Sequence, residues 1–173
     1  AKWLRSRIGM VLQEPFMFSR TLEENIGITA DKAKLPEIRE AASIACLDDT
    51  VEQFANGYDT FVGERGVTLS GGQKQRAAIA RMLVGKKPIM VFDDSLSAVD
   101  TETDAKIRAA LAEKTAGATV ILIAHRITTL MHADKIIVLD KGRVAEEGTH
   151  DELVAAGGLY AKIYSIQTGM LSD

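Results

Sequence analysis

Residues 69–94 read LSGGQKQRAAIARMLVGKKPIMVFDD, and the way this stretch divides decides the fold. Ser70 is a helix-capping side chain, Ala77, Ala78 and Met82 supply an apolar helix face, and Gly85 to Pro88 form a stop. The continuous apolar run IMVF follows at once and opens onto two adjacent carboxylates, Asp93 and Asp94. A capped helix running through a short stop into a buried strand is one step of an α/β layered domain. Beyond the carboxylates, VFDDSLSAVD (residues 91–100) continues into a turn of small residues.

The flanking sequence repeats this alternation. TVILIA, ending at Ala124, is another uninterrupted apolar run, which suits a parallel strand buried on both faces. RIGMVLQ (7–13) reads as a short buried strand, and EPFMFSRTLEEN after it as a loop. From Leu35 to about Phe54, Ile38, Ala41, Ala42, Ala45 and Leu47 recur near helical spacing until NGYDT and GERG break the pattern. A helix is expected from about Thr101, where TETD resembles a capping box, to Lys114. KIIVLDKGRVAEEG predicts a hairpin around Asp140, Lys141 and Gly142; Thr149 with Glu152 begins a further capped helix, and LYAKIYSIQ forms the last. The expectation is a partial α/β domain over 1–173. A helical subdomain over 14–86 is inserted between the first two core strands, and 87–173 forms the rest of the core with the C-terminal helices.

With 173 residues, 46% hydrophobic and 26% charged, the chain can build an ordinary globular core. A net charge of −3, with 21 basic residues scattered among 24 acidic ones, provides no basic stripe for nucleic acid, so no nucleic-acid partner is expected. The longest apolar run is far short of the roughly 18 residues that cross a bilayer. Cys46, the lone cysteine, cannot form an internal disulfide; it fits a reducing compartment and reads as a small buried side chain on a helix.

Four places put polar residues at strand ends or a helix start, where α/β sheets bind ligands: Gln13, Ser70 to Gln73, Asp93 with Asp94, and His125. The glycines of LSGGQ let a ligand approach the backbone, and the following helix aims free N–H groups at it, which favours phosphate. Taken alone, SGG is more often just an ordinary helix start. Asp93 and Asp94 could hold magnesium and accept a proton from water, or simply form an Asp-Asp turn. His125 reads as a phosphate hydrogen-bond donor or as a structural histidine. The three histidines, His125, His132 and His150, are too scattered for a metal site.

The order of these elements narrows the choice. A strand ending in Gln, a helical insert, LSGGQKQR, an apolar strand ending in acidic residues, SAVD and a strand ending in His together resemble the ATP-binding domain of ABC transporters. QEPFMFSRTLEENI and GERGVTLSGGQ are similar to the exporter branch. The resemblance implies a P-loop NTPase-like parallel sheet with a helical signature subdomain. ATP and Mg2+ are the implied cofactors, and the expected setting is the cytoplasmic face of a membrane. It implies that Gln13 is the Q-loop glutamine, touching magnesium and the nucleophilic water. Ser70, Gly71, Gly72 and Gln73 would bind ATP held by the opposite subunit. Asp93 would hold magnesium, Asp94 would be the catalytic carboxylate, Asp100 would belong to the D-loop and His125 would be the switch histidine. The implied partners are a second ATP-binding domain and the coupling helices of a transmembrane domain, near the segment after Gln13 and near Gly63 to Gly66.

Two departures qualify that picture. No GxxxxGK[ST] occurs in the sequence, so the N-terminal P-loop portion is absent; the expectation is that it precedes residue 1 in a longer protein, and that the chain alone binds ATP poorly. Asp94 stands where hydrolysing members of the family have glutamate. Its side chain is one methylene shorter, roughly 1.5 Å, against a proton-transfer reach of about 3 Å. The replacement resembles the degenerate-site subunit of heterodimeric exporters. The alternative is a nucleotide-gated regulatory or binding subunit that hydrolyses little itself. Chromosome-maintenance ATPases share an LSGG-type signature but would need coiled-coil heptads or a DNA-binding face, and the sequence shows neither.

Overall fold

The computed structural model describes residues 2–30, 33–63, 67–95, 101–114 and 117–169. In chain order the elements are α1 (Lys2–Arg5), β1 (Ile8–Val11), β2 (Arg20–Thr21), α2 (Leu22–Gly27), α3 (Leu35–Ile44), α4 (Asp48–Glu52), a 3-10 turn (Gly57–Asp59) and β3 (Phe61–Val62). There follow α5 (Gly71–Val84), β4 (Ile89–Asp93), α6 (Thr101–Lys114), β5 (Thr119–Ile123), α7 (Ile127–Leu130), β6 (Ile136–Asp140), β7 (Arg143–Gly148), α8 (His150–Ala156) and α9 (Leu159–Gln167). They fall into two compact units, Ala1–Ile123 and Ala124–Asp173.

In the first unit, β4 lies between β1 and β5 in a parallel sheet, with Val11 opposite Phe92 and Asp93 opposite Ile123. Met90 and Phe92 turn one face of β4 into the core, as the twofold alternation of a strand requires. Helix α5 buries Ala77, Ala78, Ile79, Ala80, Met82 and Val84. Its run of alanines allows close packing, and α2 and α3 both lie against it. The short antiparallel pair β2–β3 is separate from this sheet.

The second unit has its own small core, built from Ile127, Ile136, Leu153 and Tyr160. The expected hairpin is β6–β7, turning through Lys141 (φ 48°) and Gly142 (φ 76°), two successive left-handed residues that suit a tight hairpin. Thr149 and Glu152 cap α8 reciprocally, as expected from their spacing. Glu146 on β7 receives the N–H groups of Leu159 and Tyr160, placing a carboxylate at the start of α9.

Several sequence expectations are corrected. The run TVILIA is not buried on both faces: Val120, Ile121 and Ile123 of β5 are exposed, because β5 is an outer strand of a three-stranded sheet. β1 is likewise an outer strand; it ends at Val11, two residues before Gln13, and leaves Met10 and Leu12 exposed. The helix expected from Leu35 to Phe54 is two helices, α3 and α4, with Cys46 between them at φ 52°. Cys46 is therefore a half-buried turn residue rather than a helix-face residue. TLEEN is not loop: Thr21 caps α2, its side chain receiving the Glu24 N–H while the Glu24 carboxylate receives the Thr21 N–H. Gly85 ends α5 as expected but in a right-handed conformation, and Lys86 takes the left-handed one at φ 45°. A Cβ on Gly85 would lie 3.2 Å from the Met82 carbonyl and the Thr29 hydroxyl, so close approach is what its lack of a side chain permits here.

Candidate functional site

The start of α5 uses two polar side chains of LSGGQ on each other. Ser70 Oγ accepts from the Gln73 N–H at 3.3 Å, and Gln73 Oε1 accepts from the Ser70 N–H at 2.9 Å. This capping box fixes the first turn and uses two of the helix's otherwise unpaired donors. The N–H groups of Gly71 and Gly72 lie in that first turn, where no preceding carbonyl of the helix reaches them. Gly71 is exposed, has no left-handed backbone, and a Cβ there would meet nothing within 4 Å. Neither conformation nor internal packing therefore calls for glycine at 71.

The acidic pair sits where β4 leaves the sheet. Asp93 is the last residue of the strand and Asp94 takes a left-handed backbone at φ 45°, a region that aspartate tolerates better than most side chains. The Asp94 N–H donates to the Ile123 carbonyl at 2.8 Å, so the turn is anchored to the end of β5. Because β1 and β4 are parallel, the chain beyond β1 emerges at the same end of the sheet. There Gln13 Nε2 donates to Asp94 Oδ2 across 3.5 Å, a long and correspondingly weak contact. Ser95, next along, is 1% exposed, and its hydroxyl has no hydrogen-bond partner among the described residues.

The loop beyond Gln13 is tied to α5. Gln75, 3% exposed, donates from Nε2 to the Gln13 carbonyl at 3.1 Å. Arg81 donates to the Phe16 carbonyl at 3.0 Å and to the Asn25 carbonyl at 2.8 Å, and its guanidinium lies 5.8 Å from the centre of the Phe18 ring. Burial pulls the Arg81 guanidinium below its ordinary pKa. Asn25, fully buried, receives the Phe18 N–H on Oδ1 and donates from Nδ2 to the carbonyls of Phe18 and Thr21. The network leaves Phe16 and Phe18 packed edge to face on the surface, with Phe16 63% exposed.

In the second unit His125 is exposed, and its backbone is held by α9: Gln167 Nε2 donates to the His125 carbonyl, and Gln167 Oε1 accepts from the Ile127 N–H, both at 2.8 Å. Asp100 and Glu64 to Gly66 lie outside the described residues.

Residues 1–97 match the family model described as "ABC transporter". The chain belongs to the ABC transporter family. It is 48% identical over 166 residues to the uncharacterized ABC transporter ATP-binding protein YknU of Bacillus subtilis, covering 96% of this chain and 28% of that protein. It is 45% identical over 167 residues to the putative multidrug export ATP-binding/permease protein YgaD of the same organism, covering 96% of this chain and 29% of that one. Among solved structures, that of a bacterial Atm1-family ABC exporter with ATP bound matches with a TM-score of 0.91 at 43% identity, over 96% of this chain and 29% of that chain. The chain spans under a third of the length of these relatives.

For an ABC transporter sequence, motif order is thus a sufficient guide to family and to the parallel α/β fold. Of the candidate residues, Gln13 and Asp94 come together beside Asp93, while the hydrogen bonds of Ser70 and Gln73 join those two residues to each other. Sequence reasoning passed over Gln75, Arg81, Asn25 and Gln167, which hold these candidates or the loops beside them. Only Asn25 had a readable signal, since an asparagine one residue after a T-x-x-E box sits on the inward side of a first helical turn.

Proposed function

We propose that this chain supplies ATP-binding and hydrolytic machinery to an ABC exporter, working at the cytoplasmic face of a membrane against a transmembrane partner and a second ATP-binding domain. The observation that carries this reading is the convergence of Asp93, Asp94 and Gln13 at one end of the parallel sheet, in a chain of this family. Among the described residues no helix is long and apolar enough to cross a membrane.

The donor set fits magnesium. Asp93 and Asp94 offer hard carboxylate oxygens and Gln13 an amide oxygen, and among the described residues no group of three or more His, Cys, Asp or Glu forms a cage. Magnesium is typically held by one or two carboxylates together with substrate phosphates and water. Asp93 is the residue that would hold it, with Gln13 beside it. When bound, the ion supplies neutralisation of phosphate charge. Asp94 is the general base, taking the proton of the attacking water, and Gln13 orients its carboxylate. Ser70, Gly71, Gly72 and Gln73 serve ATP held by the second domain: an exposed helical glycine with open space around it costs helix stability and returns close backbone approach to phosphate. His125, with its backbone fixed by Gln167, presents a hydrogen-bond donor to phosphate. Asp100, the D-loop position by resemblance, is assigned to ATP binding in the same reading.

The test is ATP turnover in the membrane-assembled protein. Asp93→Asn and Asp94→Asn should each lower it at this site by on the order of a hundredfold or more. Parental protein that hydrolyses no ATP, or variants as active as the parent, would defeat the proposal.

Asp94 itself favours a narrower second reading. With a side chain one methylene shorter than glutamate, it reaches Gln13 only at 3.5 Å. This is the behaviour expected of a degenerate-site subunit: its LSGGQ completes the partner's active site while its own site turns over slowly. A nucleotide-gated regulatory subunit is the limiting case, distinguished by absence of ATP hydrolysis without a partner.

A further inference from the structure

We infer that Gln75 is a positioning residue for Gln13, fastening the loop that carries it to α5. The inference rests on the site proposed above and adds to it a residue that makes no polar contact with Asp93 or Asp94.

Gln75 points inward on a helix whose other buried positions are Ala77, Ala78, Ile79, Ala80, Met82 and Val84. Its Nε2 donates to the Gln13 carbonyl at 3.1 Å, between residues 62 apart in sequence. Because a carbonyl only accepts, this contact fixes the orientation of the amide. Its other end, Oε1, is then buried with no hydrogen-bond partner among the described residues. For folding alone, methionine would fill the same length and leave no acceptor unsatisfied. The amide is useful here for the single bond it makes to Gln13.

Gln13 needs that bond. The ladder between β1 and β4 ends at Val11 and Phe92, so strand pairing does not hold Gln13. Three residues further on, Arg81 holds the Phe16 carbonyl at 3.0 Å, and Arg81 belongs to the same helix somewhat under two turns beyond Gln75. The segment Gln13–Phe16 is thus fastened at both ends to one rigid element. The same helix begins at Ser70, so a displacement of LSGGQ carries the Gln13 backbone with it and alters the long contact between Gln13 and Asp94.

Gln75→Met and Gln75→Leu both remove the donor and fill the space, so one variant serves if the other folds poorly. In the membrane-assembled protein, chymotryptic cleavage after Leu12 and Phe16 should accelerate by about tenfold or more, while amides of α5 beyond Ala77 keep parental protection from exchange. The kcat for ATP should fall on the order of tenfold with KM changed by less than about twofold, as expected for a small misplacement away from the nucleotide. In a Gln13→Ala background the Gln75 substitution should add little further loss, because its route to the site is already cut. Unchanged cleavage after Leu12 and Phe16, or an equal loss of kcat in both backgrounds, would overturn the inference. If parental protein hydrolyses no ATP, the proposed function fails, and the cleavage comparison alone decides the fastening.

Discussion

Asp94 combines a left-handed backbone, an N–H bonded to the Ile123 carbonyl and a carboxylate at the limit of reach from Gln13. Replacing it with glutamate advances the carboxylate by roughly 1.5 Å. The cost is greater backbone strain, since a longer side chain tolerates the left-handed region less well, by on the order of 1 kcal/mol. Where geometry limits the rate, reach outweighs this strain. Asp94→Glu is expected to raise ATP turnover at this site by on the order of tenfold in the membrane-assembled protein. Single-site hydrolysis unchanged by the substitution would count against the degenerate-site reading. That Asp93 and Asp94 stand where β4 leaves the sheet was legible in the sequence, because the apolar run IMVF ends on them. The role of Gln75 was not: a glutamine on a helix reads as a solvated side chain, and only the fold brings it to the Gln13 carbonyl.

The elements around the site are held by caps and by buried polar contacts that can be removed one at a time. Ser70→Ala deletes the acceptor for the Gln73 N–H and should destabilise the start of α5 by about 1 kcal/mol, read as faster exchange at Gln73 and Lys74 with the end of the helix unaffected. Asn25→Leu keeps volume but strips partners from the Phe18 N–H, the Phe18 and Thr21 carbonyls and Arg81, and should cost at least about 2 kcal/mol in denaturant unfolding. An unchanged midpoint would mean that water replaces those bonds freely. At α3 the Glu37 carboxylate receives the Lys34 N–H and lies 3.1 Å from Lys86 Nζ, which together hold its pKa below the ordinary glutamate value. A depressed pKa stabilises the fold above the unfolded value, roughly 4.3, and the contribution disappears as pH falls through the lower folded value. Protection of the first turn of α3 should therefore drop on acidification through that window, and Glu37→Gln should abolish the pH dependence. Legibility varied with the signal. Ser70 and Thr149 announced their helices by cap spacing, and Thr21 with Glu24 carried the same signal but was masked by the Pro- and Phe-containing stretch before it. The left-handed turn at Cys46 had no announcing residue, since neither glycine nor asparagine stands there.

Across the chain, burial was the least legible property. An uninterrupted apolar run such as TVILIA reports that a strand is apolar on both sides, not that both sides are covered, and coverage is set by how many strands and helices lie against it. Core size distinguishes the two units in the same way. The core of the first unit includes Phe92, Leu22, Ile26, Ile79 and Ile107, whereas among the described residues four buried side chains, Ile127, Ile136, Leu153 and Tyr160, form that of the second. A cavity of fixed size should therefore harm the second unit more, because fewer neighbours share the loss. Leu153→Ala is expected to cost about 2–5 kcal/mol. If each core supports its own unit, amide protection in β6 and β7 should collapse by a hundredfold or more while protection in β4 changes by less than about tenfold. Equal loss in β4 and in the hairpin would show that the units unfold as one cooperative body, and only the stability of the whole chain would then limit the lifetime of the Gln13–Asp94 contact.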